Sequence, residues 1–336
     1  MMTDLRLDFG LYRYDNTRPL FDGRVRFEGV DATLHTADIV SDLFERMVRG
    51  REFAVAELGL TFYLRTLDLP DPPFVALPVF PNRQFRHSAI YVNARSGIRA
   101  PRDLIGKTIG EFATYGHDAG VVAKGMLSDE YGVRPEQSRW VIGGFDWPME
   151  WFDFVPRLHP AEVEVRQAPA GKALGSMLES GEIDAFISAD PPRGIREDLP
   201  EVAQLFPDYV RVEREYYRRT GIRPIMHAVV VRRDLLAENP GLAERLYRGF
   251  VDAKEVAMAD YRRGRIFNHM GDAGMVPWFS ALYDENRRLF GEDWWPYGIA
   301  KNRRSVEAFL RWHFEQGLSK RLMKAEEIFV PELLDT

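Results

Sequence analysis

The chemical reach of this sequence is concentrated in seven histidines and an excess of arginine. Of 45 cationic residues only seven are lysine, and the planar guanidinium fork binds carboxylates through two parallel hydrogen bonds. An imidazole titrates near neutral pH and can move a proton in either direction. His87 and His227 each open an apolar run ending in polar residues, His87-Ser88-Ala89-Ile90-Tyr91-Val92-Asn93 and His227-Ala228-Val229-Val230-Val231-Arg232-Arg233. Glu57 closes an apolar strand just before Gly59, where burial would raise a carboxyl's proton affinity and fit it to accept a proton. Arg83 and Arg86 flank Phe85 as carboxylate clamps. Thr114, Tyr115 and His117 precede a helix and offer hydroxyl, imidazole and backbone N–H groups to an anion, with Asp118 read as that helix's N-cap. Asp190 sits on a turn fixed by two prolines, and Tyr12 and Tyr297 are candidate cleft residues. These residue types suit proton transfer on a small carboxylate. His87, Glu57 and His227 are the candidate catalytic groups and the others would bind substrate.

Composition narrows the field. The net charge of −6 argues against a nucleic-acid binder that relies on bulk charge. Without cysteine there is no disulfide, zinc-thiolate site, iron–sulfur cluster or cysteine nucleophile. No pair of histidines has tight metal-ligand spacing, so no metal is expected. A serine hydrolase would show a Gly-x-Ser-x-Gly elbow, which is missing, and Gly143-Gly144 alone does not make a nucleotide loop. No stretch reaches the ~18 apolar residues of a membrane span, and the N-terminus carries acids where a secretory signal would be basic. The expected setting is cytoplasmic, with no membrane or nucleic-acid partner and with a homo-oligomer left open.

Elements must hold these groups in place. Strands are expected over Leu5 to Tyr12, Val25 to His35, Glu52 to Leu58, Phe74 to Phe80 and His87 to Asn93. From Asp103 onward strands and helices alternate, including a helix from Asp118 to Tyr131 that stops at Gly132. Such alternation predicts an α/β fold with parallel pairing. The two similar histidine-led strands bracket this middle region. That layout predicts two lobes: an outer one from residues 1–95 and 228–336 with the C-terminal helices, and an inserted inner one from residues 96–227. Ligands in such folds sit between the lobes, near strand ends and helix N-termini.

The segment Pro81-Asn82-Arg83-Gln84-Phe85-Arg86-His87-Ser88-Ala89-Ile90-Tyr91-Val92-Asn93 resembles the signature of the 4,5-dihydroxyphthalate decarboxylase family. Asp103-Leu104-Ile105-Gly106-Lys107, Asp129-Glu130-Tyr131-Gly132-Val133 and Trp295-Pro296-Tyr297-Gly298-Ile299-Ala300-Lys301-Asn302-Arg303 agree in order and spacing. The resemblance spans about Leu5 to Glu332. It implies a type 2 periplasmic-binding-protein-like fold that decarboxylates a dihydroxylated aromatic dicarboxylate to protocatechuate. The stretch Phe112-Ala113-Thr114-Tyr115-Gly116-His117-Asp118-Ala119 departs from the usual family pattern.

Loss of CO2 from an aromatic ring is eased when the ring carbon is protonated first, and a hydroxyl para or ortho to it takes up the charge. The protein would supply an acid near that carbon, a base near the phenol and cationic clamps for carboxylates. The hydroxyl is built into the substrate, so no cofactor is required. Two alternatives stay open: a binding protein that captures a small carboxylate without chemistry, and another enzyme on the same fold, such as a dehydratase.

Overall fold

The computed structural model describes residues 4–152, 154–156, 158–267 and 274–336. Among these, the strands form two mixed sheets. The first contains β1 (Leu5–Gly10), β2 (Val30–His35), β3 (Val55–Gly59), β4 (Phe74–Leu77) and, returning late in the chain, β11 (His227–Arg232). Their order is β2-β1-β3-β11-β4. β1 runs parallel to β2 and β3, and β11 runs antiparallel to β3 and β4. Helices Val40–Gly50, Leu60–Thr66 and Leu242–Ile266 flank this sheet.

The second sheet contains β5 (Ile90–Asn93), β6 (Thr108–Phe112), β7 (Arg139–Gly143), β8 (Glu164–Gln167), β9 (Ala185–Ile187) and β10 (Val202–Gln204), in the order β10-β5-β9-β6-β7-β8. β6, β7, β8 and β9 pair in parallel, with the helices Asp118–Tyr131 and Leu174–Ser180 joining β6 to β7 and β8 to β9. The helix Asp118–Tyr131 ends as its C-terminal cap predicts: Gly132 takes φ 67° just past its end and bonds back to the last turn.

Three sequence expectations change. β5 pairs with β9 and β10, so the chain enters the second sheet before residue 90 and not at residue 95. Both histidine-led strands are apolar on both faces, and such a run does not disclose which sheet it joins. His87 itself lies in a 3₁₀ turn, His87–Ala89, ahead of β5. The C-terminal helix Arg303–Glu315, expected with the outer lobe, also packs on the second: Trp312 lies against Gly125 and its indole N–H donates to Asp129 at 2.8 Å. The chain end returns to the first sheet, where Phe329 bridges Ala76. Among the described residues no helix is long and apolar enough to cross a membrane.

Candidate active site in the cleft between the sheets

β3 and β11 pair with His227 opposite Gly59 and Val229 opposite Glu57. Glu57 and His227 are therefore diagonal neighbours on one face of the sheet, within reach of each other. Their side chains meet with His227 Nδ1 2.5 Å from Glu57 Oε1. Glu57 is fully buried and accepts two further bonds, from the Tyr14 hydroxyl at 2.8 Å and the Tyr12 backbone N–H at 3.1 Å. Burial, and then the Glu57 charge, push the Tyr14 hydroxyl far above its usual pKa, so it stays a donor. Fixing Nδ1 leaves Nε2 as the nitrogen His227 offers to the cleft it lines.

That cleft holds a cavity of about 380 Å³. Phe44 and Phe62 from the first lobe and Phe112, Phe145, Trp147 and Phe152 from the second give it aromatic walls. Phe44 meets the His227 ring edge-on at 5.1 Å. Flat apolar walls with a few convergent polar groups suit an aromatic guest.

Asp118 enters from the second lobe. It is the first residue of its helix, and His117 occupies the N-cap position, which corrects the sequence reading. The Asp118 carboxylate crosses the cleft floor to accept the Thr61 N–H at 2.8 Å. Gly59 permits this approach, since a Cβ there would lie 2.4 Å from Asp118 Oδ2. Burial raises the Asp118 pKa, against the lowering influence of His227, the Thr61 N–H and His117. Burial thus favours the protonated form of Asp118, and a protonated carboxyl is a proton donor.

Arg86 also lines the cleft and is 5% exposed. Its guanidinium bonds the Ala189 carbonyl at 3.0 Å and the Met226 sulfur at 3.0 Å. Burial lowers its pKa to about 10. Among the described residues no carboxylate lies within ion-pair distance of it. A buried cation without an ion-pair partner is costly, and an incoming carboxylate would relieve that cost.

Of the sequence-predicted residues, the cleft brings together Tyr12, Arg86, His117, Asp190 and His227, with Glu57 directly behind His227. The others lie elsewhere. His87 is packed edge-on against Phe206 and Tyr216, both at 5.2 Å, and burial lowers its pKa to about 4. Arg83 is buried against the Asn302 side chain and the Phe80 ring. Thr114 is 2% exposed and does not line the cavity. Tyr115 is buried beneath Lys124, 3.8 Å from its ring centroid. Tyr297 is buried beside Lys254. Sequence reasoning missed Tyr14, Asn82, Gln84 and the cleft role of Asp118. A signal existed for Tyr14, which lies two residues after Tyr12, and for Gln84, which lies between the two arginines. Among the described residues no cluster of three histidine or acidic side chains is arranged to hold a metal ion.

No protein-family model matches the chain. Among solved structures, the alkanesulfonate-binding protein SsuA from Xanthomonas axonopodis pv. citri, bound to MOPS, aligns over 98% of both chains with TM-score 0.55 at 12% identity. The periplasmic-binding-protein fold is thereby shared. A 4,5-dihydroxyphthalate decarboxylase from Pseudomonas putida is 34% identical over 218 residues, 65% of this chain and 83% of its own length. A second, from Comamonas testosteroni, is 35% identical over 335 residues, 100% of this chain and 99% of that protein. With that likeness running from end to end, and the acid–base groups gathered in one aromatic cleft, the chain belongs to the 4,5-dihydroxyphthalate decarboxylase family.

Proposed function

We propose that this protein decarboxylates a hydroxylated aromatic carboxylate of the 4,5-dihydroxyphthalate type, releasing CO2 and protocatechuate. The carrying observation is the Glu57–Tyr14–His227 set facing an aromatic cleft that also holds Asp118 and Arg86, which has no ion-pair partner among the described residues. His227 Nε2 takes the proton of the hydroxyl para to the departing carboxylate. Charge flows from the phenolate oxygen to the ring carbon bearing that carboxylate. Asp118 delivers its proton to the same carbon, and the bond to the carboxylate breaks. Its electron pair returns to the ring, CO2 leaves, and His227 gives the proton back to the phenolate. Asp118 recovers a proton from solvent, so one proton is consumed per CO2. Arg86 holds the carboxylate that is retained, because pairing it with the departing one would oppose loss of charge. The hydroxyl is the electron relay, and the chemistry asks for no cofactor. The reading keeps a cytoplasmic setting, supported by relatives named as enzymes.

The test incubates purified protein with 4,5-dihydroxyphthalate, with and without chelator, following CO2 and product by chromatography. Stoichiometric CO2 and protocatechuate in both samples is the expected result. Tight binding without turnover would replace the enzyme with a binding protein.

A further inference from the structure

The second lobe presents its own carboxylate–imidazole pair to the same cleft. Glu111, on β6, is fully buried. Its Oε2 meets Lys124 Nζ at 2.5 Å. Its Oε1 accepts the Gly116 N–H at 2.8 Å and lies 3.3 Å from His117 Nδ1. Lys124 is sealed in by the faces of Tyr115 and Trp140, 3.8 and 4.8 Å from the ring centroids. Gly120 makes the arrangement possible, because a Cβ there would stand 1.8 Å from Glu111 Oε1. Burial pushes the Glu111 carboxyl up, but Lys124 and His117 outweigh it and hold it below the usual range. An ionised carboxylate only accepts, so His117 Nδ1 carries the hydrogen, and whenever the ring is neutral its Nε2 is the lone-pair acceptor. That Nε2 is buried without a hydrogen-bond partner among the described residues, on a side chain 6% exposed that lines the cleft beside Phe112. His227 offers its Nε2 from the other lobe, and Asp118 lines the same cavity as both histidines. The cleft thus has two imidazole acceptors, each braced by a buried glutamate, where the reaction proposed above uses one.

We infer that His117, positioned by the sealed Glu111–Lys124 pair, accepts the hydrogen bond of the second ring hydroxyl, the neighbour of the one His227 deprotonates, and so selects an ortho-dihydroxy ring. This rests on the proposed decarboxylation and assigns the specificity of the same site. A buried acceptor left unpaired by a substrate that lacks the hydroxyl discriminates strongly against that substrate.

The experiment compares kcat/KM for 4,5-dihydroxyphthalate and 4-hydroxyphthalate. The latter keeps the hydroxyl para to one carboxylate and lacks its neighbour. His117→Ala should lower kcat/KM about 10- to 100-fold on the dihydroxy compound and less than about threefold on the monohydroxy one. Lys124→Met and Glu111→Gln should move the selectivity in the same direction by a smaller factor. The selectivity ratio is independent of the amount of folded enzyme, so partial misfolding does not blur it. Equal losses on both substrates, or an unchanged ratio, would overturn the inference. If the wild type turned over neither compound, the decarboxylase reading would fall. The ratio of the two dissociation constants by calorimetry would then decide this one: collapse in His117→Ala supports it, and an unchanged ratio overturns it.

Discussion

At the scale of single residues, removal of each working group has a distinct signature. His227→Gln loses the base, and kcat should fall by roughly 10²–10⁴ with little change in melting temperature. Steady-state kinetics beside a thermal melt checks this. Glu57→Gln keeps a hydrogen-bond partner for His227 but removes the charge that stabilises its protonated form. Its loss in kcat should be smaller than that of His227→Gln. Arg86→Gln removes a cation that has no ion pair among the described residues. KM should rise about 10- to 100-fold, while the melting temperature stays level or increases, because a buried unpaired charge costs stability. A marked drop in melting temperature would show that Arg86 serves the fold instead. The sequence pointed to Arg86 through its motif. It could not separate Arg86 from Arg83, because only packing shows that one faces a cavity and the other the Asn302 amide.

At the scale of elements, the helix Asp118–Tyr131 carries the second lobe's contribution. Its two interior glycines give a controlled pair of tests. Alanine at Gly120 would strike the Glu111 carboxylate, and alanine at Gly125 would strike the Trp312 indole at 2.2 Å. Both should lower the melting temperature, since overpacking costs about 1–3 kcal/mol. Gly120→Ala should also erode the preference for the dihydroxy substrate, and Gly125→Ala should leave it intact. This helix was legible in the sequence because its end signals are local: Gly132 stops it where the pattern predicts. Its range was also read correctly, and only the N-cap was misassigned, to Asp118 in place of His117. A cap is chosen by what the side chain finds, and Asp118 finds Thr61 on the other lobe.

At the scale of the whole molecule, buried histidines set the response to acid. Burial lowers His87 to about 4, and lowers His313 well below its usual value. In the unfolded chain both would titrate near the ordinary value of about 6.5. Between these limits the unfolded state binds more protons, so the contribution to stability is complete above pH ~6.5 and is lost as pH falls toward 4. His87→Phe should keep turnover and flatten this decline. Urea unfolding at pH 7.5 and pH 5 should show the wild type losing roughly 2 kcal/mol more than the variant. A collapse of activity in His87→Phe would return His87 to the chemistry, despite its place between Phe206 and Tyr216.

What the sequence determined by itself is the set of local facts: alternating strands and helices, the glycine that ends a helix, the family motifs, and the presence of Glu57 and His227 on strands. Those follow from periodicity and cap chemistry within a few residues of each other. The tertiary structure decided everything that joins distant segments. It paired Glu57 with His227 across 170 residues through the register of β3 and β11. It sent β5 to the second sheet, buried His87, and carried Asp118 onto the Thr61 backbone of the opposite lobe. A side chain's role depends on the face it occupies and on what closes over that face. Register and lobe packing settle both, and neither leaves a mark in the spacing of one strand.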